Sequence, residues 1–350
     1  MKVQQPATVP AKPTERAKLA LEVIRKREAL GRAKRSHAGT VGVLLAWLAL
    51  RIAALSAIRP MRVLKLYSLQ HGALLSAGIG FNMFFSITGL LTTGFSVAGL
   101  VLSGNKELLD AIIASVSTSA PGLLKVDGGT GLVDPQTLLN PTGLGWAAIV
   151  AAVVTIFTSL RWIQSLRDGL RGVMVVGPVP GNALLNKLKD AGTLLLLGVA
   201  LVLTSAVTLV FSSALDAVAS TLGLDKSFAG TLVYLLGFVT AVILAWITTA
   251  VIFRLGAGLK LRRRIFLIST LLAGISSAVL QLLSGMLLGK AGANPLLAPF
   301  AVVIGLLIWF NFVSQVYLLA GAWAAIAEAD ATAGENLQGK AGRARTIRGH

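Results

Sequence analysis

Long uncharged stretches alternate with short basic segments along most of this sequence. Beyond residue 72, six apolar stretches each reach the length of about 20 residues that a helix needs to cross a bilayer core. They cover residues 73–102, 144–163, 191–215, 228–253, 265–288 and 296–326. Because a helix satisfies its own backbone hydrogen bonds in lipid, the pattern predicts an all-α fold, a multi-pass membrane helical bundle with six transmembrane helices.

The last of these stretches, residues 296–326, contains no charged residue. Asn311 and Gln315 lie near its middle, four residues apart and therefore on one helix face. Gly321 and Ala325 leave room further along the helix for a close neighbour. This combination predicts a helix that packs inside the bundle.

Amide side chains recur in two other predicted spans, as Asn82 and Gln281. Lipid cannot satisfy an amide, so each of them needs a protein or water partner. We expect Asn311 and Gln315 to face Gln281, with Asn82 close by. Two roles are open for this intramembrane polar cluster: the amides join neighbouring helices, or they line a polar cavity.

The N-terminal region, residues 1–72, is basic and less apolar. Residues 41–58 are apolar enough to span, but Arg51 lies at their centre, where a charge costs at least about 2.5–3.5 kcal/mol. We therefore expect a helix lying in the cytosolic membrane interface. Residues 73–327 form the predicted bundle, and residues 328–350 a disordered cytosolic tail. An amphipathic helix is also expected after Asn105, with an apolar stripe of Leu108, Leu109, Ile112, Ile113 and Val116.

The distribution of charge predicts the orientation. The sequence has 32 Lys and Arg and 14 Asp and Glu, a formal net charge of +18. Of the 32 cations, 28 fall in the tails and in the segments 161–190 and 254–264. The positive-inside rule therefore places both termini in the cytosol, with four lysines on the other side: Lys106, Lys125, Lys226 and Lys290. Because the cations flank spans without interleaved stacking aromatics, we expect no nucleic-acid partner.

Catalytic chemistry is missing from the pattern. The three histidines, His37, His71 and His350, have no partner at metal-ligand spacing, and there is no cysteine. We therefore predict no catalytic residue, no metal site and no cofactor. No acidic residue lies in the middle of a predicted span. Because proton-driven transporters usually rely on such residues, this absence argues against that class of transporter.

Arginines beside the spans are the remaining candidate site residues. Short basic segments next to apolar helices attract the headgroups of anionic phospholipids in the bilayer. For the arginines of the segment 161–171, the alternative is a set of ion pairs within the protein. The candidate headgroup contacts are Arg161, Arg167, Arg171, Arg262, Arg263 and Arg264.

From about Trp47 to Glu328 the chain resembles the YihY/BrkB family of bacterial inner-membrane proteins, in an actinobacterial form. The resemblance rests on LLSAGIGFNMFFSITGL (74–90), WIQSLRDGLRGV (162–173), PGNALLNKLKD (180–190) and the stretch 294–325. Two departures are Thr88-Gly89 and Leu255-Gly256, where a proline is usual in the family. The resemblance implies a six-span protein of the inner membrane, associated in some members with envelope integrity. The family was earlier labelled a ribonuclease, but this sequence contains no pattern of nuclease residues.

Together these features favour a non-enzymatic inner-membrane protein that supports envelope integrity by transporting or organising a lipid or another amphiphile. The alternative is a secondary transporter or exporter of a small solute, and a membrane-bound hydrolase is a remote third. A lateral opening between helices at headgroup depth would favour the lipid. A closed central polar cavity would favour the solute.

Overall fold

The computed structural model describes residues 11–35, 39–101, 106–119, 124–125, 146–222, 226–288 and 298–348. The described residues are almost entirely helical, which confirms the predicted all-α class. Their ten α-helices are α1 (Arg16–Arg35), α2 (Thr40–Ala57), α3 (Arg59–Leu69), α4 (Gly72–Val101), α5 (Lys106–Ser119), α6 (Trp146–Val173), α7 (Ala183–Leu222), α8 (Lys226–Val251), α9 (Arg263–Leu288) and α10 (Ala298–Arg348). A π-helical turn, Ile252–Gly256, continues α8.

Helix α10 is the centre of the bundle. It packs against α3, α4, α6 and α9, so it contacts more of the described helices than a peripheral span would. Leu306, Leu318 and Ala322 on this helix are completely buried. The sequence prediction that this stretch packs inside a bundle is confirmed.

Five of the described helical segments are long and apolar enough to cross a membrane. Four of them overlap predicted spans, and the fifth is Thr40–Ala57, where we expected an interfacial helix. The predicted spans 144–163 and 191–215 fall in α6 and α7, and parts of both lie outside the residues whose side chains are described. The five segments are Thr40–Ala57, Gly72–Leu90, Phe238–Gly256, Arg263–Leu283 and Phe300–Glu335.

At the N-terminus, α1 and α2 form a hairpin. The charged helix α1 packs along the apolar helix α2, with Leu19 and Ala53 buried. The guanidinium of Arg51 is exposed and lies 5.1 Å from the centre of the Trp47 ring. The rest of α2 presents an exposed apolar stripe that contains Val41, Leu44, Leu45, Leu48, Ile52 and Leu55.

The amphipathic helix expected after Asn105 is present as α5, although Asn105 itself lies outside the described residues. Its apolar stripe is buried at Ile112, Ile113 and Val116. Helix α5 packs against α7. The stripe is therefore covered at least in part by protein.

Helix α10 is far longer than a bilayer requires. Its 51 residues correspond to about 77 Å, more than twice the roughly 30 Å of a hydrocarbon core. The structure differs here from the disordered tail predicted for residues 328–350, because the helix continues to Arg348. Acidic side chains on this extension bind arginines of other helices, as described below, and so fix its first turns.

Candidate functional site

Two of the four predicted amides are brought together on α10. The side-chain amide of Gln315 donates to Oδ1 of Asn311 at 3.5 Å, near the long limit for a hydrogen bond. Both side chains are half-buried, as are Asn82 on α4 and Gln281 on α9. Since α4 and α9 both pack on α10, the helices that carry the amides are neighbours. The direct contacts predicted among the four amides stay a prediction.

A glycine explains how α4 approaches the amide pair so closely. A Cβ added at Gly80 would stand 2.8 Å from the backbone nitrogen of Asn311, closer than real Cβ contacts allow. The two helix backbones therefore touch directly at this level. Only glycine fits here, as is common where membrane helices pack without side chains between them.

Hydroxyl groups form a second polar seam, between α4 and α6. Ser86 donates to Ser159 at 3.1 Å, and both residues are completely or almost completely buried. Thr93 donates to Thr155 at 3.3 Å. A Cβ added at Gly89 would stand 2.7 Å from Oγ1 of Thr155, so α4 and α6 are close at this level. Sequence reasoning missed this seam because a serine or threonine in a helix can also bond its own backbone, as Thr88 does to the carbonyl of Phe84.

Charged side chains collect where α3, the end of α6, the start of α9 and the extension of α10 meet; we call this region the basic end. At its centre Arg62 is 1% exposed. Its guanidinium donates to both carboxylate oxygens of Asp330, at 3.1 and 2.8 Å, and to the carbonyl of Pro13 at 2.6 Å. Arg59 adds a contact to Asp330 at 3.3 Å. This buried cluster joins the N-terminal segment, α3 and α10.

On α6, two of the predicted headgroup arginines bind groups within the protein. Arg167 pairs with Asp190 on α7 at 2.5 Å and with Asp168 at 3.5 Å. Burial raises the pKa of Asp190, and the charge of Arg167 opposes that rise only partly. Arg171 is 8% exposed and donates to the carbonyls of Gly177 and Ala257, so it ties α6 to the loop before α9.

The arginines at the start of α9 include one that is paired within the protein and two that are not. Arg262 pairs with Glu328 at 2.9 Å and with Glu335 at 2.5 Å, both on the extension of α10. The hydrogen bond to Glu335 raises the pKa of Arg262. By contrast, three of the predicted arginines are exposed and form no ion pair or hydrogen bond with another described residue: Arg161, Arg263 and Arg264.

Within the described part of the chain, no group of three or more His, Asp or Glu side chains is placed to hold a metal ion. The polar features that the structure presents are the Asn311–Gln315 amide pair on α10, the hydroxyl seam between α4 and α6, and the cations of the basic end.

Long apolar helices that pack closely at glycines, with a network of arginine ion pairs at the basic end, define a multi-pass α-helical membrane protein. The family described as virulence factor BrkB matches residues 63–345. Because this match covers most of the sequence, the chain belongs to that family.

The chain is also similar to two bacterial proteins over most of its length. The chain is 27% identical over 269 residues to an uncharacterised protein of Dickeya dadantii (strain 3937), covering 74% of this chain and 80% of that protein. It is 24% identical over 278 residues to the inner membrane protein YhjD of Escherichia coli (strain K12), covering 77% and 80%. No solved structure matches the chain.

Proposed function

We propose that this protein is a non-enzymatic component of the bacterial inner membrane that supports envelope integrity by transporting or organising a lipid or another amphiphile. The observation that carries the proposal is the unpaired set of Arg263 and Arg264, at the start of the membrane-capable helix α9, and Arg161, within α6. Exposed cations without a protein partner, next to apolar helices, favour an anionic lipid headgroup as their partner.

The paired arginines sharpen this argument. Arg62, Arg167, Arg171 and Arg262 have their hydrogen bonds filled by carboxylates and carbonyls, so they hold the bundle together. Each unpaired cation near an anionic leaflet contributes about 1 kcal/mol of attraction. We therefore assign headgroup contact to the exposed subset and a structural role to the others.

The relatives support the location and the broad role. YhjD is named an inner membrane protein, and the family is named for a virulence factor, a property compatible with a function in the envelope. We extend the inner-membrane location to this chain on that basis. The lipid as substrate rests on the unpaired cations alone.

The same proposal includes the topology: six spans, both termini in the cytosol, and α2 outside the hydrocarbon core. Pro13, just before α1, contacts Arg62 of α3, so both ends of the α1–α2 hairpin lie at the basic end. The hairpin must then cross the membrane twice or not at all. Crossing twice would place the ten charges of α1 in lipid at about 2.5–3.5 kcal/mol or more each. We infer that it does not cross.

A charge-removal experiment tests the function. The triple change Arg161→Gln, Arg263→Gln and Arg264→Gln should lower the amount of anionic lipid that co-purifies with the protein. It should also sensitise cells to detergent while leaving protein abundance unchanged. The matched control removes three lysines from the predicted far side, Lys106→Gln, Lys125→Gln and Lys226→Gln. Loss of protection with unchanged lipid would contradict the lipid proposal and favour export of a solute.

A further inference from the structure

An open groove lies on the outer surface of the bundle where α8 meets α9. Its volume is 410 Å³, within the roughly 300–1,000 Å³ typical of small-ligand sites. Its walls are apolar except for one arginine, and they consist of Trp246, Ile247, Ala250, Val251, Arg254, Leu255 and Phe266.

The sequence of α8 builds this wall from a stripe of residues spaced by four. Trp246, Ala250 and Arg254 follow one another along it, beside a parallel row that starts at Ile247. Near the basic end the helix changes to the π-helical turn Ile252–Gly256, which carries Arg254 and Leu255. Such π-turns are rare inside helices and are frequent at functional sites.

The aromatic wall of the groove is held in place. The indole N–H of Trp246 donates to Oγ1 of Thr270 on α9 at 2.9 Å. A Cβ at Gly274 would stand 2.9 Å from Cα of Trp246, so the two helices are in backbone contact there. A ligand entering the groove therefore meets a preformed surface and loses little free energy in ordering it.

The charge at the end of the groove is positive and uncompensated. Arg254 is exposed and forms no ion pair or hydrogen bond with another described residue. Arg263, also exposed, precedes Phe266 by three residues on α9 and therefore lies on the same helix face. No acidic residue occurs in the sequence between Asp225 and Glu328, and Glu328 already binds Arg262.

We propose that this groove binds one phospholipid with an anionic headgroup. The acyl chain lies against the wall formed by Trp246, Ala250 and Phe266, and the phosphate lies beside Arg254. Arg263, one helical turn before Phe266 on α9, provides a second positive charge. An apolar groove on a membrane-capable helix pair, ending in an unpaired cation, matches both parts of such a lipid. The site deepens the proposed function, on which its biological role rests.

Native mass spectrometry of the full-length protein in mild detergent tests the site. The probes are phosphatidylglycerol and phosphatidylcholine with the same acyl chains. Removing the cation with Arg254→Gln should weaken phosphatidylglycerol binding about fivefold and leave phosphatidylcholine unchanged. Filling the groove with Ala250→Trp should reduce binding of both lipids. Arg254→Lys, which keeps the charge, and Lys125→Gln, outside the groove, should bind both lipids as the unchanged protein does.

Phosphatidylglycerol binding that is unaltered in both Arg254→Gln and Ala250→Trp would overturn the site. So would an equal loss of both lipids in Arg254→Gln, since the headgroup would then not be recognised. A detergent-sensitivity assay in cells separates the two proposals. Full protection by an Ala250→Trp protein that no longer binds lipid would sustain the site and count against the proposed function.

Discussion

At the scale of single residues, the basic end shows that equal charges have unequal roles. Arg62 and Arg264 are both arginines beside apolar helices, yet Arg62 is 1% exposed and Arg264 is exposed. The difference is set by Asp330, which lies 268 residues from Arg62 in the sequence. Composition and local spacing cannot predict a pair of that separation. For the same reason the sequence grouped Arg262, which pairs with Glu328, with the unpaired Arg263 and Arg264.

The Arg62–Asp330 pair should be important for stability. Asp330→Asn removes the carboxylate and leaves a buried guanidinium bound mainly to the carbonyl of Pro13. Breaking a buried pair in this way typically costs about 3–5 kcal/mol. We expect a clear fall in thermal stability, measured by fluorescence-detected size exclusion after heating. The double change Arg62→Met and Asp330→Leu should cost less than the sum of its parts, and Arg263→Met should have almost no effect.

The amide pair on α10 allows its two possible roles to be separated. If Asn311 and Gln315 only join helices, Gln315→Leu should lower the free energy of unfolding by about 1 kcal/mol, and activity should fall only as folded protein is lost. If they line a path, envelope protection should disappear while abundance and melting temperature stay nearly unchanged. Phe312→Leu, at an exposed neighbouring position, serves as the control in both assays.

At the scale of helices, packing depends on where side chains are small. Gly80→Ala should destabilise the contact of α4 with α10, because its Cβ would stand 2.8 Å from a backbone nitrogen that has little freedom to move. Overpacking of this kind costs about 1–3 kcal/mol. Gly78→Ala, two residues away with nothing within 4 Å, should be neutral or stabilise the helix by up to about 1 kcal/mol. Comparing the two melting temperatures checks the prediction, and equal losses would contradict it.

The helices themselves could be predicted from the sequence, and several of their partners could not. Hydropathy indicated α4, α8, α9 and α10, and the uncharged stretch with small residues indicated that α10 would be central. The seam between α4 and α6 depends on the hydrogen bond between Ser86 and Ser159. The sequence alone does not distinguish such a serine from one that bonds to the backbone of its own helix. The first turns of the α10 extension bind arginines elsewhere in the chain. The polar sequence of residues 328–350 alone does not show these partners, and it therefore suggested disorder.

At the scale of the whole molecule, the basic end is held together from distant parts of the chain. Arg62 joins Pro13 to Asp330, and Arg171 joins α6 to the carbonyl of Ala257 before α9. These contacts place the N-terminal segment, α3, α6, α9 and the extension of α10 on one side of the bundle. The positive-inside rule predicts that this side is the cytosol.

Single-cysteine labelling tests this orientation cleanly, because the chain has no cysteine of its own. Glu22→Cys in α1, Lys125→Cys between α5 and α6, and Lys260→Cys before α9 are all at exposed positions. In spheroplasts, a membrane-impermeant maleimide should label Lys125→Cys at once. Glu22→Cys and Lys260→Cys should react only after the membrane is broken, because both lie on the basic side.

The decisive variant is Glu22→Cys, since its labelling depends on whether α2 crosses the membrane. Labelling of Glu22→Cys in intact spheroplasts, with Lys260→Cys protected, would mean that α2 spans and that the hairpin does not return to the basic end. The Arg62–Pro13 contact would then be absent in the membrane, and the six-span topology would be wrong. Protection of Glu22→Cys, with release on lysis, is the outcome we expect. It follows from the ten charges on α1, which a hydrocarbon core would not accept without a large cost.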